Sequence, residues 1–239
     1  MKKSLASCWN GSNAQQRMMN VLSPYMGEAQ FAQYIAWMKS RGCNTSHVCL
    51  SNLGDGEAAG YCIYGRSWDW TPDPLYVAHM NKRLAVLKEN FRDVYGWVFT
   101  DDGRAYADAA KQDFRRHLKD LKRMGLLSRL SVVVAGLELN EYYNAKETAA
   151  LVKAIRGVWT KKIGTHQTSG RYDYSLIPDV QICLYQTHPG KSPAQIKDEA
   201  RKVCTAVRKP VNFFELSRNP APALCKAAMD GGCYGVGNI

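Results

Sequence analysis

The sequence predicts an α/β fold, a small (β/α)8 TIM barrel with residues 1–239 as a single domain. Three observations predict it. Short apolar runs alternate with amphipathic helical periods along the chain, and eight strands can be counted. The runs are apolar on both faces, as strands of a parallel sheet covered by helices must be. No G-x-G-x-x-G follows an early strand and no Walker lysine motif occurs, so the nucleotide fingerprints of an open, doubly wound sheet are missing.

Taken in order, Leu5 to Trp9 is the expected strand one. Glu28 to Arg41 sets Phe31, Tyr34, Ile35 and Met38 on one helical face and stops at Gly42, a residue suited to a helix C-terminus. His47 to Leu50 is strand two. A long connection then carries Trp68-Asp69-Trp70, after which Asp73-Pro74 reads as an N-cap and first helical residue, with Met80, Leu84, Leu87 and Phe91 forming the buried stripe. Gly96 to Thr100 is strand three. Ala110, Phe114, Leu118 and Leu121 make the next helical face, Gly125 ends it, and the continuous run Ser131 to Leu139 is strand four.

Asn144 and Glu147 form a capping-box pattern ahead of Val152, Ile155 and Val158, and Lys162 to His166 is strand five. Val180 to Tyr185 is strand six. Ser192-Pro193 opens a helix through Ile196, Ala200, Val203 and Val207, and Pro210 precedes strand seven, Val211 to Glu215. Asn219-Pro220 starts a helix through Leu224 and Ala228, and Cys233 to Val236 is strand eight.

With 46% hydrophobic and 22% charged residues, 9 Pro and 19 Gly, the chain has the composition of a folded globular protein rather than a disordered or collagenous one. No run reaches the roughly 20 apolar residues of a membrane-spanning helix. The start, Met1 to Trp9, is basic, but its apolar run is too short for a secretion signal; the expected location is the cytoplasm, release by lysis, or a particle such as a phage virion. None of the 8 cysteines form a C-x-x-C pair, and Cys49 and Cys183 lie in apolar runs, so small reduced core residues in a reducing compartment are expected.

Formal charge is +11, which favours an acidic partner such as nucleic acid, an anionic polysaccharide or a membrane surface. The densest cations, Lys111, Arg115, Arg116, Lys119, Lys122, Arg123 and Arg129, fall on an amphipathic helix and read as its solvated face. No nucleic-acid module is recognisable, so nucleic acid is not the expected partner. The 5 histidines form no His-x-His or His-Glu-x-x-His pattern, and no metal or other cofactor is expected.

A barrel of this kind builds its site at the carboxyl ends of the strands. The residues there are Trp9 and Asn10, Asn52, Asp101 and Asp102, Asn140 and Glu141, His166 and Gln167, Tyr185 and Gln186, Glu215, and Tyr234. Glu138 and Asp101 could equally hold basic residues in place. His47, at the start of strand two, reads as structural, while His166 and His188 follow strands and are expected to line the cleft.

Leu137-Glu138-Leu139-Asn140-Glu141 closing strand four and Phe213-Phe214-Glu215 closing strand seven resemble the motifs of the retaining barrel glycosidases of clan A, which include cellulases, mannanases and β-galactosidases. The resemblance implies a β-linked oligosaccharide or polysaccharide substrate, with Glu141 as acid/base, Glu215 as nucleophile, Asn140 bonded to the sugar 2-hydroxyl and Tyr185 beside the nucleophile. Such chemistry needs two carboxyls about 5 to 5.5 Å apart, one protonated and one ionised. The chain departs from the clan in having Tyr142 where Pro usually follows the Asn-Glu pair, only Tyr234 near the position of the strand-eight Trp, and no placeable early Arg. Trp9, Trp68, Trp70, Tyr142, Tyr143, Tyr172 and Tyr234 are candidate sugar platforms, with core packing as the competing role. A barrel that binds glycan without cleaving it, as an adhesin or decayed glycosidase, is the alternative.

Overall fold

The computed structural model describes residues 4–5, 21–51, 62–65, 69–98, 113–216 and 222–237. Eight strands lie in one sheet: β1 (Ser4–Leu5), β2 (Thr45–Cys49), β3 (Asp93–Trp97), β4 (Val132–Val134), β5 (Lys162–Gln167), β6 (Ile182–Gln186), β7 (Val211–Glu215) and β8 (Gly235–Val236). All neighbouring pairs are parallel, in the order β1-β8-β7-β6-β5-β4-β3-β2. Consecutive strands from β2 to β8 are therefore neighbours, as expected when each connection carries the chain back to the amino end of the sheet.

The sheet is curled. In the ladder order β7 and β2 are five steps apart, roughly 24 Å in a flat sheet at about 4.8 Å per strand. Yet the Phe214 ring on β7 lies 4.5 Å from the imidazole of His47 on β2 and 4.8 Å from the Trp97 ring on β3. These rings fill the concave side, with Tyr95 and His166 beside them.

The described helices are α1 (Glu28–Ser40), α2 (Pro74–Asn90), α3 (Phe114–Arg123), α4 (Ala145–Val158), α5 (Pro193–Val207) and α6 (Pro222–Asp230). They bury the predicted stripes: Phe31, Tyr34 and Met38 on α1, Met80, Leu84 and Leu87 on α2, Leu118 and Leu121 on α3, Val152 and Ile155 on α4, and Ile196, Ala200, Val203 and Val207 on α5. Their starts are fixed by local hydrogen bonds that occupy otherwise orphaned amides. Asp73 accepts from the amides of Leu75 and Tyr76, Asn144 and Glu147 form the reciprocal capping box, and Ser192 does the same with Gln195. Two strand glycines allow close packing: a Cβ on Gly96 would sit 2.4 Å from Leu130 Cδ1, and one on Gly164 would sit 2.7 Å from Leu184 Cδ1.

Several boundaries differ from expectation. Strand four ends at Val134 rather than Leu139, because Glu138 adopts a left-handed conformation (φ 38°) and Leu139–Glu141 turns into a 3-10 helix. Strand three begins at Asp93 and ends at Trp97, strand two begins at Thr45, and strand eight begins only at Gly235. His47 is accordingly mid-strand, not at its start. The first turn of the last helix is at Pro222; Asn219 and Pro220, like Ala110 and Lys111, lie outside the described residues.

Candidate functional site

The carboxyl ends of the parallel strands define one face of the sheet, and it is there that β7 delivers Glu215. Its backbone pairs with Gln186 at the end of β6, but the preceding pair is Tyr185 with Phe213, so Phe214 is an extra residue in a β-bulge. Strand alternation places the two phenylalanines on opposite faces. Phe213 stacks 4.8 Å from Tyr185 on the outer side, and Phe214 enters the concave interior.

Beyond β4 the chain leaves the ladder at Ala135, whose N–H still donates to the Gly164 carbonyl on β5 (2.9 Å). The Glu138 N–H then donates to His166 Nδ1 (3.0 Å), which anchors the left-handed turn on β5. Asn140 is held twice by Thr168, donating from Nδ2 to its Oγ1 (2.7 Å) and accepting from its N–H (2.8 Å). Glu141 follows in this 3-10 turn, exposed, with its N–H donating to the Glu138 carbonyl (2.9 Å). The Asn-Glu pair is thus placed past the carboxyl end of β4 by a turn braced on β5, and not by the strand itself.

Beneath this face lies a buried aromatic layer. His166 accepts at Nδ1, which assigns its proton to Nε2, and burial lowers its pKa to about 3. His47 accepts at Nδ1 from Trp97 Nε1 (3.1 Å); burial, reinforced by the nearby His166, lowers its pKa to about 3 as well. Both imidazoles are neutral at pH 7. His166 belongs to the packed interior under the turn, so the expectation that it lines an open cleft is corrected.

Other predicted site residues are scattered. Tyr185 faces the helices: its hydroxyl donates to Glu199 of α5 (2.8 Å), which also accepts from Thr187 and Lys191. Burial would raise the Glu199 pKa, but these three donors outweigh it and bring the pKa below the ordinary value. Tyr234 precedes β8 and borders a cavity of about 600 Å³ on the amino-terminal side, with Asp93, Tyr95, Arg156, Lys162 and Asp179 among its other walls. It is on the wrong face for the predicted role, because strand eight starts one residue after it.

Trp70 is half-buried, its ring 5.5 Å from Tyr64 and covered by the Arg116 guanidinium at 5.1 Å. Tyr142 is half-buried against the core, and Tyr143 is buried. Trp9, Asn10, Asn52, Trp68, Asp101 and Asp102 lie outside the described residues. On α3 the cations Arg115, Arg116, Lys119, Lys122 and Arg123 are exposed; Arg123 pairs with Asp120 (2.8 Å) and Arg116 donates to the Trp70 carbonyl (3.0 Å). Among the described residues no group of three His, Cys, Asp or Glu could hold a metal, and no helix is long and apolar enough to cross a membrane.

Sequence reasoning missed Thr168 and Glu199, each of which braces a loop on the carboxyl side of the sheet. Nothing local to Thr168 marks it, since its partner is 28 residues away. The interior set had a signal: Tyr95 and Trp97 are two residues apart, the spacing of one strand face.

No protein-family model matches the chain, and no curated protein matches it by sequence. Solved structures do. A Bacteroides vulgatus glycoside hydrolase of family 5 matches with a TM-score of 0.66 and 12% identity over 99% of this chain and 58% of that one. The fold is one that glycoside hydrolases use. A GH113 β-1,4-mannanase matches with a TM-score of 0.62 and 10% identity, covering 100% of this chain and 88% of the mannanase. A second Bacteroides vulgatus protein, provisionally assigned as a glycoside hydrolase, reaches a TM-score of 0.72 at 16% identity over 90% of this chain. The chain spans 48% and 58% of the lengths of the two Bacteroides proteins. A homocysteine methyltransferase from Escherichia coli shares the fold too, with a TM-score of 0.59 at 13% identity. The likeness is therefore one of architecture, and one architecture of this kind hosts unrelated functions.

Proposed function

We propose that this chain is a closed (β/α)8 barrel acting as a retaining glycoside hydrolase on a β-linked glycan, with Glu141 as acid/base and Glu215 as nucleophile. One observation carries the reading: the backbone of Glu215 ends β7 and Glu141 follows β4, so both leave the same carboxyl face of one curled parallel sheet. Strands four and seven are three steps apart around such a barrel, and two carboxyls reaching across its mouth from them can flank a glycosidic bond. In the first step Glu215 attacks the anomeric carbon while Glu141 protonates the departing oxygen; in the second, Glu141 takes a proton from the water that releases the sugar. The aromatic layer under the face supplies a rigid, water-poor floor.

A second reading, a glycan-binding barrel without hydrolysis, is favoured by Asn140. Both ends of its carboxamide are already bonded to Thr168, whereas the resemblance assigns it to the sugar 2-hydroxyl. A panel of activated aryl β-glycosides separates the two. Hydrolysis by the wild type that Glu215→Ala abolishes and azide restores, giving the inverted glycosyl azide, supports the enzyme. Binding of an oligosaccharide without turnover of any panel member supports the alternative.

A further inference from the structure

The two sulfur atoms of Cys204 and Cys233 face each other at 3.9 Å across the junction between α5 and β8. Cys204 is in the last turns of α5 and half-buried, whereas Cys233 lies two residues before β8 and is fully buried. The junction is held tightly. A Cβ on Gly231 would come within 2.5 Å of Ala200 Cβ and 2.6 Å of the Lys197 carbonyl, so the turn leading to β8 rests directly on α5, one turn below Cys204. The Cys233 N–H also donates to the Ala228 carbonyl at the end of α6 (3.2 Å). Neither sulfur can drift far from the other while this packing holds.

We propose that Cys204 and Cys233 form an oxidation site that a small-molecule disulfide, of the class of oxidised glutathione, converts to an internal disulfide. A disulfide requires the sulfurs to approach to about 2.05 Å, about 2 Å closer than they lie here. Cys204 is the entry point because it is the one of the pair that solvent reaches, and the Cys233 thiol at its side lowers its pKa, favouring the thiolate. The Cys204 thiolate attacks one sulfur of the oxidant and expels one glutathione thiolate. The Cys233 thiol then gives up its proton to water, and its sulfur attacks the Cys204 sulfur of the mixed disulfide and expels the second glutathione thiolate. Two protein thiols are oxidised and one small disulfide is reduced to two thiols.

The bond would close the loop of residues 204–233, which contains β7, Glu215 and α6. It would also pin the entry to β8, a strand joined to β7 and to β1 through two residue pairs each. Oxidation is thus expected to clamp the thinnest part of the sheet.

The full chain is incubated folded with increasing ratios of oxidised to reduced glutathione, quenched with acid, alkylated and peptide-mapped. Two of the 8 cysteines should become protected as a Cys204–Cys233 peptide pair, and the melting temperature should rise by about 5 °C or more, the scale expected for a loop of this length. Cys233→Ser should trap glutathione on Cys204, and Cys204→Ser should leave Cys233 unmodified with no rise in melting temperature. A cross-link to Cys183 or Cys225, or full alkylation of both residues under all ratios, would overturn the proposal. A bond that forms without raising the melting temperature would overturn the clamping role.

Discussion

The His47 imidazole and the Phe214 ring lie with centroids 4.5 Å apart, joining β2 to β7 across the interior of the sheet. Phe214 also touches Trp97 and His166, and it immediately precedes Glu215. The position of the proposed nucleophile therefore depends on a ring clamped by three other strands.

Phe214→Ala should cost about 3–5 kcal/mol in urea unfolding, because a fully buried ring is removed from a layer that cannot collapse. Phe214→Leu should cost less than half as much. If glycosidase activity is present, Phe214→Leu should lower it while the protein stays folded, as the backbone of Glu215 gains freedom.

Acid should weaken the fold well before carboxylates titrate. His47, His117 and His166 are held neutral with pKa values lowered by burial to about 3, against 6.5 in the unfolded chain. Between these values the unfolded state binds more protons, so the stability these groups contribute is complete above about pH 6.5 and is lost as pH falls toward 3. Each should contribute a slope of up to about 1.4 kcal/mol per pH unit in that window. Urea midpoints at pH 7, 6 and 5 check this. His47→Gln, which keeps an acceptor for Trp97 Nε1, should flatten the dependence, and an unchanged slope would show that His47 does not titrate on unfolding.

Glu141→Ala and Glu215→Ala should fail in different steps. With a leaving group that needs protonation, Glu141→Ala should lose about 10²–10⁴ in turnover. With a good leaving group it should accumulate the covalent intermediate, visible by mass spectrometry, and show a burst followed by slow hydrolysis. Two variants that both keep wild-type turnover would transfer the protein to the glycan-binding reading.

Tyr185→Phe tests where the hydroxyl acts. Because that hydroxyl donates to Glu199 on the outer side, the variant should keep kcat within about twofold and lose about 1–3 kcal/mol of stability. A large fall in kcat with unchanged stability would instead restore Tyr185 to the site.

Asn140→Ala removes both bonds to Thr168 and should loosen the turn that carries Glu141. If Asn140 acts by positioning, kcat should fall with little change in KM, and the alkaline limb of the pH profile should shift because it reports the deprotonation of the acid Glu141. A rise in KM alone would instead mark Asn140 as a sugar ligand.

The alternation of strands and helices, the helix starts at Asp73, Asn144 and Ser192, and strand seven from Val211 to Glu215 are legible in the residues alone. These depend on neighbours within a few residues: a cap and the amide it accepts from, a stripe at helical spacing, a short apolar run. Which side of the sheet each residue serves depends instead on long-range packing. Tyr185 turns outward because Glu199, 14 residues away on α5, offers it an acceptor. The Asn140-Glu141 pair leaves its strand because His166 and Thr168 of the neighbouring strand and its following loop capture the backbone and side chain of the turn. Tyr234 falls on the amino-terminal side because β8 pairs two residues with β7 and begins only at Gly235. An apolar run shows that a strand is buried on both faces, but where pairing stops is set by partners distant in sequence, and those partners decide which residue ends the strand.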